Sequence, residues 1–325
     1  MTVTVKQKAP RSGRTKIAAE LKLGLGILVF IFLASVVAAV FPPFSPTAIG
    51  DDSFALPGAE HWLGTDNLGR DTFTRLFIAA GTTLMISAAA TLISAVLGTA
   101  LGLIAGYRGG IADSIIMRGA DVLLAIPAIL MALIVRVIIG PGIIPLIIAM
   151  GIIYTPTFAR VMRAPVLAMR DRDFIVAAQL AGTPAPIIAI KHMLPNALTP
   201  LMVQAAITAS EAVLLEAGLS YLGQGVQPPN PSVGMMISEF QKYVQDSPLL
   251  VILPAIVIVA IAAGWNLIAD GLQRTFSPRQ RDTFEFLIPR QPIWRRMLTP
   301  FIGSGLPAKN SLVDTKPVDT KRGQK

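Results

Sequence analysis

Long stretches of this sequence carry no formal charge. None occurs between Arg75 and Arg108, and Arg136 is the sole one between Asp121 and Arg160. A lipid hydrocarbon core of ~30 Å is crossed by about 20 apolar residues in a helix, the form in which a single segment satisfies all of its own backbone. Leu23–Phe41, Thr82–Ala105 and Leu249–Ile268 fit that length directly. The stretch after Asp121 would reach nearly ~60 Å as one helix. Gly140-Pro141-Gly142 divides it into shorter spans, Val122–Ile139 and Ile143–Ala159. With Leu198–Leu219 this gives an all-α, polytopic membrane protein with six transmembrane helices. The 19 apolar residues of the first span exceed the usual 7–15-residue core of a secretory signal, so an uncleaved anchor is expected there.

Composition agrees: 53% of the 325 residues are hydrophobic and only 14% charged, against roughly 25% in soluble domains. The net charge of +9 fits a nucleic-acid binder as well as a membrane protein until the charges are located. With the N-terminus inside, the segments 1–22, 106–121, 160–197 and 269–325 hold 24 of the 28 Lys and Arg, and the outer segments hold only Arg70, Arg75 and Lys242. That asymmetry is the positive-inside pattern. It predicts both termini in the cytoplasm and removes support for a nucleic-acid partner. The expected organisation is a cytoplasmic tail (1–22), a first transmembrane helix (23–41), an extracytoplasmic loop (42–81), a transmembrane core (82–269) with a cytoplasmic loop at 160–197, and a cytoplasmic C-terminal tail (270–325).

There is no cysteine, and the two histidines, His61 and His192, lie far apart. Thiolate chemistry is thereby excluded, and a histidine-rich metal site is not expected. No G-x-x-x-x-G-K-[ST] phosphate loop is present either. No catalytic residue, metal ligand or cofactor site is therefore assigned to this chain.

The most patterned polar segment is Arg170–Asn196, "RDRDFIVAAQLAGTPAPIIAIKHMLPN". Asp173 is placed to cap a short helix carrying Ala177, Ala178 and Ala181, and Gly182 suits a left-handed helix end. Thr183-Pro184 reads as the start of a second helix that stops before Pro195. A helix–glycine–helix unit with small side chains allows another protein to approach closely. An amphipathic hairpin lying on lipid headgroups fits the same pattern.

The spacing A-A-x-x-x-G (Ala177, Ala178, Gly182), followed by apolar residues and Leu194-Pro195-Asn196, resembles the coupling loop of ABC-importer membrane subunits. Three further blocks, "HWLGTDNLGRDTFTRL" (61–76), "LSYLGQGVQPPNPSVG" (219–234) and "WNLIADGLQRTFSPR" (265–279), occur in the expected order. Together they resemble the dipeptide/oligopeptide/nickel branch, in particular the second of its two permease subunits. The resemblance implies an ABC importer (type I) permease fold in a bacterial inner membrane. It also implies a second homologous permease, two cytoplasmic ATPases that bind ATP and Mg, and an extracytoplasmic substrate-binding protein. One position departs from the family motif, which usually begins with glutamate where this chain has Val176. With Asp173 as N-cap, Val176 would occupy the third helical position, where glutamate completes a capping box.

In the outer block, Gly64 and Gly69 bracket a polar loop in which Asp66, Arg70 and Asp71 are expected to pair with one another. That loop reads either as an outer gate or binding-protein contact, or as a self-braced corner. Charges within spans are functional candidates by default. Arg136 and Glu216 lie at matching depth near outer ends, which predicts an ion pair. Glu211, ~12 Å in from the outer end of its span, is a candidate for a water-filled path or for a hydrogen bond to a neighbouring helix. Beyond residue 280, the basic and aromatic tail with Trp294 and Phe301 fits either an anionic lipid surface or a solvated end.

An ion-coupled secondary transporter is the competing class, with Glu211, Glu216 and Arg136 as coupling groups. It leaves the patterned cytoplasmic loop without a task, and the sequence shows no inverted repeat. A membrane-anchored scaffold would not need four ordered blocks. The branch implies dipeptides or oligopeptides as cargo, with nickel chelates, opines and small glycoconjugates as alternatives.

Overall fold

A computed structural model of the chain describes residues 18–276. Among these there is no β-strand, and ten α-helices follow in order. They are α1 (Ala19–Val40), α2 (Thr72–Arg108), α3 (Gly110–Ala125), α4 (Ala128–Ile139), α5 (Ile143–Arg170), α6 (Asp173–Leu180), α7 (Ala185–Ile188), α8 (Leu194–Tyr221), α9 (Val233–Phe240) and α10 (Leu249–Phe276). Five helical segments are long and apolar enough to cross a membrane: α1, α2, α5, α10 and the continuous run Ala185–Tyr221. α3 and α4, bent by 98° about Ile126-Pro127, make a sixth if counted as one span. Trp294, Phe301 and the rest of the segment beyond residue 280 lie outside the described residues.

The helices overrun the apolar stretches that forecast them. α2 begins ten residues before Thr82 because Asp71 caps it, its carboxylate accepting from the Thr74 amide at 2.8 Å and the Thr74 hydroxyl at 2.7 Å. Segment 106–121, expected as a connection, is mostly α3.

Glycine sets the closest helix contact. Gly98, Gly102 and Gly106 recur every four residues along α2 and face α5. A Cβ on Gly98 would stand 2.4 Å from the Thr155 carbonyl oxygen, and one on Gly102 2.5 Å from that of Ala159. Lipid is as apolar as a leucine side chain, so helices in a membrane gain by close backbone approach and dispersion more than by excluding water. The same logic joins α1 to α10, where Gly24 would meet the Gly264 carbonyl oxygen at 2.6 Å. The opposite face of α1 exposes Leu25, Phe32 and Leu33, as a lipid-facing helix does.

Three apolar clusters run from one end of the bundle to the other. Leu76, Leu84, Val213, Met236, Phe240 and Ile261 unite α2, α8, α9 and α10. Ile86, Met150, Leu215 and Leu219 fill the middle with α5 and α4. Phe158, Met162, Val166, Ile175, Ile188 and Met193 close the end at which α6 and α7 sit.

Candidate functional site

At that end, the chain leaves α5 and turns through Asp171 and Arg172 into α6. Gly182 has φ +74°, as its position after the helix requires. Its amide donates to the Gln179 carbonyl at 2.9 Å, and the Thr183 amide reaches back to the Ala178 carbonyl at 3.1 Å. This paired reverse bonding is a Schellman end, which fixes the angle between α6 and α7.

Three local expectations change. The N-cap of α6 is Arg172, with no side-chain cap bond, and Asp173 is the first helical residue. Asp173 thus acts on the helix dipole instead of capping, and Val176 moves to the fourth position, outside any capping box. α7 likewise starts at Ala185, with Pro184 as its N-cap in place of Thr183. Nor does a break occur before Pro195. Helix continues from Ala185 to Tyr221 through a π turn at Ala189–Met193. Proline lacks an amide hydrogen and crowds the carbonyl four residues earlier, and the wider turn absorbs both. Leu194 packs against the cluster beneath it, while Pro195 and Asn196 are exposed in the first turn of α8. The Asn196 side chain donates to the His192 carbonyl at 2.7 Å.

The α6–α7 unit has two faces. Ile175, Ile188 and Met193 are fully buried against Phe158, Met162 and Val166. The other face is exposed and largely apolar: Phe174, Val176, Ala177, Leu180 and Ile187, with Leu180 85% accessible. Gly182 is exposed too, and a Cβ there would meet nothing within 4 Å.

The opposite end of the bundle is a folded crown. Gly64 and Gly69 both have positive φ, 75° and 68°, and each lies where a Cβ would strike a backbone carbonyl oxygen. Asp66 is fully buried. It accepts from the Leu68 and Arg70 amides at 2.9 and 3.0 Å, from Arg70 Nε at 2.7 Å, and from Arg75. Glu239 on α9 pairs with Arg70 and, at 3.0 Å, with Arg75. Two carboxylates and two guanidiniums therefore lock loop 42–71 to α9. Asp71 does not join Arg70 as expected. Besides capping α2 it meets His61 Nδ1 at 2.9 Å, because the helix start holds its side chain on the far side of the turn. Arg75 and Glu239 escaped the sequence reading. Arg75 lies within the block 61–76, one turn beyond Asp71; Asp66 is a partner in the same block, but the other, Glu239, is 164 residues away.

The expected Arg136–Glu216 pair is absent. Glu216, with no exposed surface, accepts from Thr83 Oγ1 at 2.8 Å and Ser220 Oγ at 2.6 Å. Arg136 donates to the Gly225 carbonyl at 2.7 Å and to that of Gln224. α8 turns Glu216 toward α2, while the loop after Tyr221 folds over the end of α4 and offers Arg136 its carbonyls. Glu216 thus ties α8 to α2, and Arg136 ties α4 to the loop that follows α8. Glu211 is exposed, on a face of α8 that also carries Gln204, Ile207, Leu214, Gly218 and Tyr221. These positions recur at three- and four-residue intervals, the stripe of one helix side.

Residues 98–282 match the family described as binding-protein-dependent transport system inner membrane component. The chain is 37% identical over 255 residues to a dipeptide transport system permease protein DppC of Alkalihalophilus pseudofirmus, covering 78% of this chain and 83% of that protein. It is 34% identical over 264 residues to the DppC protein of Haemophilus influenzae, covering 79% and 90%. It is 35% identical over 260 residues to the oligopeptide transport system permease protein OppC of Bacillus subtilis, covering 80% and 85%. Among solved structures, a chain of the MetNI methionine ABC transporter in an inward-facing conformation aligns with 60% of this chain and 96% of its own length, at 22% identity and a TM-score of 0.46. The chain belongs to the family of binding-protein-dependent transport system inner membrane components, the membrane permeases of ABC importers.

Proposed function

We propose that this permease subunit forms, with a second homologous permease, the membrane path for dipeptides and oligopeptides, and that two cytoplasmic ATPases drive it through the α6–α7 unit. The observation that carries the reading is the two-faced construction of that unit. Its buried face is wedged into α5 and α8, so displacement of the exposed face moves both spans. The exposed face offers Val176, Ala177 and Leu180 beside Gly182, a low apolar relief that a partner groove can cover, while Ala178 packs inward against the cluster beneath. Val176 adds apolar contact where the resemblance expects glutamate. The relatives named for dipeptide and oligopeptide transport support the cargo class.

In this reading the ATPases bind ATP and Mg and close on each other, and each carries a coupling unit with it. The spans then alternate between inward and outward access, and no residue of this chain makes or breaks a bond. The distribution of Lys and Arg supports a cytoplasmic α6–α7 end and an extracytoplasmic crown, with both termini inside an inner membrane. The substrate-binding protein would meet the crown, whose loop is held against α9 by Asp66, Arg70, Arg75 and Glu239. Glu211 and its stripe would line the path.

The test is uptake of labelled dipeptide by proteoliposomes holding both permeases and the ATPases, with binding protein outside. Uptake is expected to require ATP and to stop with vanadate. A Leu180→Asp variant should release the ATPases during purification. Uptake driven by an ion gradient with no ATPase present would overturn the reading.

A further inference from the structure

α3 is held differently from the long helices around it. Of its sixteen residues only Ala120 is buried, and none of the three apolar clusters includes an α3 residue. Its link to α5 is ionic. Arg163 donates through Nε and Nη2 to the two Asp113 oxygens at 2.5 and 2.6 Å, and Arg160 pairs with Asp121 two turns farther along α3. The fork-to-fork geometry of the first pair fixes orientation as well as distance. Between the pairs lies a polar cleft of about 480 Å³, lined also by Ser114, Met117 and Arg118. None of the buried apolar clusters joins α3 to α5, and the two ion pairs are the side-chain bonds that do.

Both ends of α3 are built to turn. Gly109 caps α3 and Gly110 opens its first turn, with φ of 64° and 56°, and the 98° bend at Ile126-Pro127 follows its last. α5, by contrast, is wedged into the core and continues to within two residues of α6. A helix with a glycine turn at one end, a sharp bend at the other and ion pairs along its side can follow the element to which those pairs tie it.

We infer that the Asp113–Arg163 and Asp121–Arg160 pairs are a coupling strut: they stay closed through the transport cycle and make α3 travel with α5 when α6 is displaced, while α4 is packed on α5 directly. The inference rests on α6–α7 being the ATPase docking unit. Coupling through a packed element needs a physical connection that survives the motion, and here that connection is electrostatic.

The experiment uses the complete transporter in proteoliposomes, reading dipeptide moved per ATP hydrolysed together with ATPase co-purification. Asp113→Ala and Arg163→Ala should keep the ATPases bound and hydrolysing while transport per ATP falls several-fold. The reversed pair, Asp113→Arg with Arg163→Asp, should restore the ratio. Because the chain has no cysteine, Asp113→Cys with Arg163→Cys can be bridged within it by a reducible bis-methanethiosulfonate spacer. The bridged form should transport as well as the reversed pair. Unchanged coupling in both alanine variants would overturn the strut, as would a bridged transporter that is inactive until reduced. Loss of ATPase binding in Leu180→Asp without loss of ATP-dependent uptake would instead overturn the docking reading beneath it.

Discussion

The glycine seam between α2 and α5 allows a quantitative perturbation, Gly102→Ala. The added methyl would sit 2.5 Å from the Ala159 carbonyl oxygen and 2.7 Å from Met162 Cβ. Carbon contacts are most favourable near 3.5–4.0 Å, so α2 and α5 must part by roughly 1 Å at this level. A gap of that size forfeits about a quarter to a half of each contact's attraction. The loss spreads to Gly98 and Gly106, one turn to either side. Overpacking of this kind costs about 1–3 kcal/mol. Alanine also gains on glycine about 1 kcal/mol of helix propensity, which would mask part of the loss. Gly26→Ala removes that ambiguity, because a Cβ on Gly26 in α1 meets nothing within 4 Å. Both variants receive the propensity gain, so the difference between them, about 1–3 kcal/mol in favour of Gly26→Ala, isolates the seam. The assay is thermal unfolding of the purified transporter in detergent, followed by tryptophan fluorescence, with both variants at equal concentration. If Gly102→Ala melts at or above Gly26→Ala, close backbone approach does not hold these helices together.

Asp66→Asn leaves Arg70 and Arg75 paired with Glu239 but removes the second carboxylate they share, and should weaken the crown by about 2 kcal/mol, the scale of a hydrogen bond to a charged group; faster proteolysis of loop 42–71 in intact proteoliposomes would report it. Glu211→Gln removes charge at constant shape, and transport rate should drop while ATPase assembly and melting temperature hold; unchanged rate and affinity would take Glu211 out of the path. Val176→Glu adds a charge to an exposed apolar docking face, and ATP-dependent uptake should fall or stay level. Rescue of an otherwise inactive transporter by that glutamate would show that Val176 does not serve docking.

Legibility in the sequence varied with the range of the interaction. Five of the apolar stretches, the Gly182 turn and the glycine-bracketed loop at 64–69 are local matters of side-chain type and backbone freedom, and each is found where its residues announce it; the span expected at Val122–Ile139 is instead broken by the 98° bend at Ile126-Pro127. Helix ends were less legible. Asp71, not an apolar residue, starts α2, and a π turn carries helix past Pro195, where proline chemistry alone argues for a stop. Partner choice among charges was the least legible. Depth along two separate spans paired Arg136 with Glu216, but rotation about each helix axis decides which face a side chain presents, and depth contains no information about rotation.

The same distinction separates the two sources of knowledge about this protein. Its sequence alone determined a helical membrane chain, the distribution of its cations, and the four ordered blocks that resemble an importer permease, because span length, charge placement and motif spacing are one-dimensional. Only the tertiary structure decided that Asp66, Arg75 and Glu239 lock one end, that Glu216 answers to Thr83 and Ser220, and that α3 hangs on α5 by two ion pairs. Those contacts join residues up to 164 positions apart. They depend on how packed helices are rotated and crossed, which no single stretch of chain specifies by itself.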